Sequence, residues 1–344
     1  MVTNRRWVLA RRPESRPEPT DFRFETIEAT MEPGPGEILV RHRFLSLDPY
    51  MRVRMSAARS YSEPVELGSV MVGAALGDVV ESRDPTFKPG DAVIVGGGAL
   101  QGGGWQDYSI AQGANVRGID TRDLPEAAFL GPLGISGFTA YVGLKVIGAP
   151  KPGETVVVAA ATGAVGSMVG QLAKLEGCRT VAIAGGAEKC AFAVETLGYD
   201  AAVDHRAPDF AEQLAAACPD GVDIYFENVG GAVAAAVRPL LNDFARIPVC
   251  GLIAHYNDEE TAAGGPPFAP FMRDILVKRL TVRGYIISDF FGLRIEYNAY
   301  ARPLVASGKL AWKVDIVEGL ENAPEAFIGL LDGRNFGKLL VKIV

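Results

Sequence analysis

The chain has 344 residues, enough for two domains of ordinary size, and 48% of them are apolar, enough to build buried cores. A net charge of -7 gives no basic footprint for nucleic acid, and 22% charged residues argue against wholesale disorder. The first residues alternate apolar with charged side chains without a long apolar run, and Cys178, Cys190, Cys218 and Cys250 are scattered with no CxxC pair. A cytoplasmic chain with no signal peptide, no membrane span and no disulfide framework is therefore expected.

In chain order, the first third reads as β-structure. Glu37–Leu45 has strand composition, and Ala92–Val95 and Trp105–Ile110 are shorter strands. A proline-glycine-acid turn precedes an apolar strand three times, at Pro35-Gly36-Glu37, Pro89-Gly90-Asp91 and Pro152-Gly153-Glu154. Proline presets one turn angle and glycine accepts a positive φ. Arg12–Pro19 is proline-rich and reads as a surface loop.

From about Leu124 the rhythm changes to apolar strands alternating with helical stretches, the pattern of βαβ units around a parallel sheet. The expected strands are Thr155–Ala160, Thr180–Ala184, Ala201–Val203, Val222–Phe226, Ile247–Cys250 and Leu280–Ile286, with helices such as Val165–Glu176 and Phe210–Ala217 between them. The tail gives a strand Trp312–Val317, a helix near Ala323–Leu331 and a last strand Gly337–Ile343. This order predicts an α/β chain whose doubly wound, Rossmann-type domain is inserted into a β-rich domain. The expected boundaries are 1–125, 126–302 and 303–344.

The strongest chemical signal is the strand that begins at Thr155 and runs into Thr162-Gly163-Ala164-Val165-Gly166, with Gly170 on the helix that follows. Such glycines permit a tight turn, backbone approach to a pyrophosphate and close helix–strand packing. Ala161 occupies the first position of G-x-G-x-x-G, so the fingerprint is degenerate, and its place in the first βα unit favours nucleotide binding. The second strand then ends in Ala184-Gly185-Gly186-Ala187-Glu188-Lys189. No carboxylate terminates it and Lys189 is available to neutralise a 2'-phosphate, which favours NADP. Glu188 leaves an NAD reading open, and a solvated Lys189 is the plain alternative. Among His42, His205 and His255 there is no H-x-x-x-H and no pairing with cysteine at ligand spacing, so no metal is expected. No G-x-S-x-G elbow is present either.

The fingerprint, Lys189 after a Gly-Gly and the missing zinc ligands resemble the medium-chain dehydrogenase/reductase superfamily. The likeness is to its zinc-lacking branch of leukotriene dehydrogenase/prostaglandin reductase and plant alkenal double-bond reductases. It spans essentially the whole chain through Leu47–Arg52, Gly137–Tyr141, Ala161–Ser167, Ala184–Cys190, Tyr225–Gly231, Cys250–Asn257, Glu321–Pro324 and Phe336–Lys338. It implies a GroES-like β-rich domain beside the Rossmann domain. It further implies that Thr162, Gly163, Ala164, Val165 and Gly166 line the pyrophosphate and that Lys189 meets the 2'-phosphate. Asn228, Cys250, Gly251 and Tyr256 would touch the cofactor, Tyr285, Ile286 and Ile287 would lie along the nicotinamide, and Asn335 would reach the phosphates. Many members carry a tyrosine where His205 stands, and a histidine donates to phosphate best when protonated.

The implied activity is NADPH-dependent reduction of the carbon–carbon double bond of a small hydrophobic enone or enal, by hydride transfer to the β-carbon and without a metal. Tyr256 is the candidate donor to the developing enolate oxygen. Tyr50, Met51, Tyr61, Phe290 and Phe291 are candidate walls of an apolar substrate pocket, and a homodimer is expected from the family. A quinone reductase of the same superfamily, or a non-catalytic NADPH-binding sensor on the same scaffold, are the alternatives.

Overall fold

The computed structural model describes residues 1–58, 60–97, 102–257 and 268–344. The chain opens on a hairpin, β1 (Val2–Leu9) with β2 (Phe22–Ala29), in which charge replaces part of the apolar pattern. Arg6 lies directly across from Glu25, and their side chains pair at 2.8 Å. Then follow β3 (Glu37–Ser46), the short helix α1 (Tyr50–Met55), β4 (Ala75–Ser82), β5 (Ala92–Val95), β6 (Tyr108–Gln112) and β7 (Arg117–Gly118).

The chain next enters α2 (Ile135–Tyr141), which runs on as a π-helical stretch Val142–Gly148, and then an alternating series. That series is β8 (Thr155–Ala159), α3 (Gly166–Leu175), β9 (Arg179–Ala184), α4 (Ala187–Glu195), β10 (Ala201–Asp204), α5 (Phe210–Ala217), β11 (Val222–Phe226), α6 (Gly231–Val237), β12 (Leu241–Val249), α7 (Phe268–Lys278), β13 (Thr281–Gly284) and α8 (Arg294–Ala306). It closes with β14 (Val314–Glu318), α9 (Ala323–Leu331) and β15 (Lys338–Lys342). No helix among the described residues is long and apolar enough to cross a membrane.

The chain divides into two compact units, Met1–Leu130 with Val314–Val344, and Gly131–Lys313. The second is thus an insertion into the first in chain order, with its limits at 130 and 313 where the sequence placed 125 and 302.

In the first unit, β14 and β15 pair in parallel, and β15 joins β3 antiparallel. The strand order is β14-β15-β3-β4-β5-β7, with β6 pairing β3 off that path. The core holds Leu9, Phe22, Met51, Trp105, Phe327 and Val341. Trp105 stacks on Phe22 at 5.4 Å and meets Phe327 edge-on at 5.6 Å. That packing corrects one expectation: the strand begins at Tyr108, because Trp105 is drawn into the core ahead of it.

In the second unit, strands β10-β9-β8-β11-β12-β13 form a parallel sheet among the described residues. The chain winds outward from β8 in one direction and from β11 in the other, so the order reverses between them. In open sheets of this kind, ligands gather at that point, beyond the carboxyl ends of the strands. The central strand β8 is buried along its full length, as its unbroken Thr-Val-Val-Val-Ala run requires. Two strand ends differ from the sequence reading. β12 starts at Leu241, through the polar Asn242 and Asp243, and β13 covers only Thr281–Gly284.

Candidate cofactor site

The carboxyl end of β8 gives way to a turn that begins with Ala160 at φ +50°, a left-handed conformation uncommon for alanine. The turn is held by Gly163 N–H donating to Ala160 O at 3.0 Å and by Ser167 N–H donating to Gly163 O at 2.9 Å. Gly166 opens α3, and a Cβ there would stand 2.3 Å from Ala160 O and 2.8 Å from Ala161 Cα. Only glycine admits so close an approach of helix to strand. Further along α3, a Cβ at Gly170 would fall 2.0 Å from the ring of Tyr199, whose hydroxyl donates to Gly166 O at 2.7 Å. Thr162 is buried, while Gly163, Ala164 and Val165 are half-buried. A turn with this backbone approach fits the pyrophosphate of a dinucleotide.

Beside it, β9 ends at Ala184 and β10 at Asp204, paired residue to residue. Asp204 is tied to the backbone through one carboxylate oxygen. Its Oδ1 accepts from Gly186 N–H and from Arg206 N–H, each at 2.9 Å, and these contacts hold its carboxyl below the usual range. Lys189 lies half-buried in the first turn of α4, and His205 and Arg206 are exposed after β10. Partial burial, then Arg206 and Lys189, lower the His205 pKa, while Asp204 opposes the shift.

On the other side of β8, β11 ends at Phe226 and leads into Glu227 and Asn228. Glu227 is buried, and its carboxylate accepts from Val229 N–H at 2.7 Å and Gly230 N–H at 2.8 Å. Burial raises its pKa, while those two amides and His255 oppose the shift. Its carbonyl accepts from Cys250 N–H at 2.9 Å and Gly251 N–H at 3.2 Å, which joins the β11 and β12 exits. Asn228 donates to Ala159 O at 2.8 Å and so ties the same exit to β8. His255 Nε2 accepts from Gly231 N–H at 3.1 Å. Tyr256 follows half-buried, its hydroxyl 3.0 Å from the point where a Cβ on Gly251 would stand.

Tyr285 is turned inward, and its hydroxyl donates to Thr139 O at 2.9 Å. Its ring is therefore held in the interior of the second unit. Ile286 and Ile287 are half-buried beyond it. Phe290 meets Tyr285 edge-on at 6.3 Å, and Phe291 stacks on Phe138 at 6.5 Å.

Within the first unit the expected residues separate. Met51 is fully buried in the core, its methyl 3.1 Å from where a Cβ on Gly73 would stand. Tyr50 is half-buried at the start of α1. Tyr61 is 49% exposed and lines a cavity of about 680 Å³ with Arg54, Ser62, Glu63 and Met71. Asn335 donates to Gly337 O at 2.8 Å in the turn before β15. Buried Lys338 fixes that strand to the 47–48 turn, donating to Leu47 O at 2.9 Å and pairing with Asp48.

Sequence reasoning singles out neither Glu227 nor Arg206. Glu227 carries a signal, an acid at the end of an apolar strand with two glycines following, and Arg206 directly follows the candidate His205.

Family models described as the N-terminal domain of oxidoreductase and as zinc-binding dehydrogenase match residues 5–119 and 164–306. The described residues do not fit a zinc ion. His42 Nδ1 donates to Gln106 O at 2.8 Å and its Nε2 accepts from the Ser109 hydroxyl at 2.7 Å, with burial lowering its pKa to about 4. Among the described residues no group of three or more His, Cys, Asp or Glu is placed to hold a metal.

The chain is 51% identical to the NADPH-dependent curcumin reductase of Escherichia coli strain K12, over 99% of this chain and 97% of that one. It is 37% identical to the NADP(+)-dependent 2-alkenal reductase of Nicotiana tabacum, over 99% and 98%. The crystal structure of CurA from Vibrio vulnificus in complex with NADPH superposes with a TM-score of 0.92 at 48% identity, covering 99% of both chains. The chain belongs to the medium-chain dehydrogenase/reductase family, in the branch that holds the curcumin and alkenal reductases.

Proposed function

We propose that this protein is an NADPH-dependent reductase of the carbon–carbon double bond of small apolar α,β-unsaturated ketones and aldehydes. The observation that carries the reading is the glycine turn after β8, with Gly166 pressed against Ala160 at the carboxyl edge of the sheet. Relatives named for NADPH, for curcumin and for 2-alkenals, matched along nearly the whole chain, support the substrate class over a quinone. NADPH, when bound, supplies the hydride that the β-carbon accepts.

The chain's own groups then have three tasks. The backbone of Thr162–Gly166 cradles the pyrophosphate. Glu227 and Asn228 hold the β11 exit fixed against β8 and β12, so that groups beyond it need no reorganisation as charge develops. The Tyr256 hydroxyl donates to the substrate oxygen as it gains negative charge. Phe290 and Phe291 offer aromatic surface to an extended apolar substrate.

The test is a panel of enones and enals with NADPH, the product identified by NMR. Saturation of the alkene is expected, and an allylic alcohol would overturn the reading. In the same assay Tyr256→Phe should lower turnover by roughly 100-fold, the scale of one oxyanion donor. Unchanged turnover would remove Tyr256 from that role.

We also infer a homodimer. Among the described residues β13 is an edge strand with every residue exposed, and Val282 on it, like Met272, Leu276 and Val277 on α7, is an exposed apolar residue. An open edge beside apolar side chains invites pairing with a second copy. Light scattering should give twice the 36.5 kDa chain mass, and Leu276→Lys with Val282→Lys should return it to the single mass. The four unpaired cysteines fit the reducing cytoplasm.

A further inference from the structure

We propose that Tyr285 is a positioning residue for hydride transfer: its hydroxyl, seated over Gly143, sets the spacing between the chain exit that carries Tyr256 and the exit that carries residues 286–291. The inference rests on the reductase reading above and adds to it a side chain that acts through its neighbours. In the parallel pair β12–β13, Val249 stands beside Gly284, so Cys250 and Tyr285 leave the sheet side by side. Among the described residues β13 is an edge strand, exposed at every position, so the ladder holds it from one side. Tyr285, directly after it, is turned inward and buried.

The Tyr285 hydroxyl donates to Thr139 O at 2.9 Å, near the end of α2, where the winding opens into the π-helical stretch. Its oxygen is left to accept from the Cys250 thiol, which lies against it. A Cβ on Gly143, inside the π-helical stretch, would stand 2.3 Å from that hydroxyl and 2.6 Å from the ring of Phe226 at the end of β11. The bare glycine thus gives the hydroxyl its seat, and the ends of β11, β12 and β13 meet the same helix at one place. Such π turns are rare and recur at functional sites. Phe290 rests edge-on against the Tyr285 ring at 6.3 Å, so the same side chain backs the aromatic surface offered to substrate. A hydrogen bond fixes a distance more narrowly than apolar contact does. That matters here, because a misplacement of about 1 Å can cost roughly 100-fold in rate.

The test uses the whole enzyme with NADPH and an unbranched 2-alkenal, active sites being counted by titration of NADPH fluorescence. Wild type should saturate the alkene; failure there would sink the reductase reading itself. Tyr285→Phe keeps the ring and removes only the hydroxyl. It should lower kcat per active site by about tenfold and leave KM for NADPH within about twofold. With NADPH deuterated at the transferred position, its isotope effect should be at least as large as in wild type, which places the loss at the hydride step. A bond that only stabilises the fold would lower the melting temperature and leave kcat as it was, and that result overturns the proposal. A raised KM with kcat kept would overturn it as well. Spacing has no meaning once the donor is gone, so Tyr256→Phe with Tyr285→Phe should fall less than about twofold below Tyr256→Phe alone. A second loss of the full size in the double variant would show that the hydroxyl does not act through the donor's position. Cys250→Ala leaves the bond to Thr139 O and should cost less than Tyr285→Phe; the reverse order would move the role to the thiol.

Discussion

The two sides of the same sheet edge solve opposite problems. Beyond β9 and β10 the chain ends in open glycines and exposed cations, with Asp204 tied into the backbone. Beyond β11 and β12 it ends in a buried carboxylate, with two amides on its oxygen and two more on its carbonyl. The open side can answer a highly charged ligand by moving side chains in water. The buried side holds its geometry in advance, which is what a group facing developing charge requires. Substitutions on the open side should therefore act on affinity, and those on the buried side on stability and geometry.

The largest effect should come from the turn that divides the two sides. Gly166→Val puts a side chain into backbone at 2.3 Å, where nothing flexible can yield. A loss of roughly 3 kcal/mol is expected from overpacking, read as about 6–12 °C in Tm, together with loss of NADPH binding. Gly163→Ala sharpens the point, since its Cβ would meet only Ala160 O, at 3.2 Å. It should leave Tm nearly unchanged while weakening both cofactors. Equal melting temperatures for the two variants would break the distinction.

Next in size is the buried lock. Glu227→Ala strands the Val229 and Gly230 amides, at about 1 kcal/mol for each. Glu227→Gln keeps an acceptor for both and removes only the charge. Burial raises the Glu227 pKa in the folded chain above the unfolded value of about 4.3. Between those two values the native state holds the extra proton, so stability falls as pH rises through the window and then levels. Denaturant unfolding from pH 4.5 to 7 should show the Gln variant gaining on wild type with rising pH. Parallel profiles would mean that the carboxylate is not held at a cost.

How much of this could be read from the sequence follows the same division. The strands of the second unit were legible because burial on both faces leaves apolar runs such as Thr155–Ala159 and Val222–Phe226. The β1–β2 hairpin was not, because Arg6 opposite Glu25 supplies by charge what apolar alternation would have announced. Met51 lies inside the Leu47–Arg52 motif and Tyr285 in the stretch expected along the nicotinamide, yet packing beside Gly73 and the bond to Thr139 O turn both side chains into the interior. No pattern in one sequence distinguishes an inward ring from an outward one. The tie of Asp204 is hidden for a different reason: its partner is the backbone of Gly186, 18 residues away.

A smaller effect is expected at Gly251. Its Cβ would come within 3.0 Å of the Tyr256 hydroxyl, the far end of a side chain that can shift by a few tenths of an ångström. Gly251→Ala should thus leave the melting temperature within about 2 °C of wild type, yet lower enone turnover by about tenfold through a displaced donor. Unchanged turnover, with Tyr256→Phe still impaired, would show that the hydroxyl is positioned from elsewhere.

The smallest effect is a rate of labelling. Burial pushes the thiols of Cys178, Cys218 and Cys250 up to about 11, and it raises Cys190 as well. Thiolate is the reactive form, so at pH 8 a disulfide reagent should modify the native protein far more slowly than the urea-unfolded chain, which releases four equivalents. Cys250 sharpens the comparison of the two sides, because its backbone amide is held by Glu227 O at 2.9 Å. Glu227→Ala loosens the exit that Cys250 occupies and should speed its labelling, while Arg206→Ala, on the open side, should leave all four rates as they were. Acceleration by both variants would mean that the two sides are coupled and do not act as separate devices.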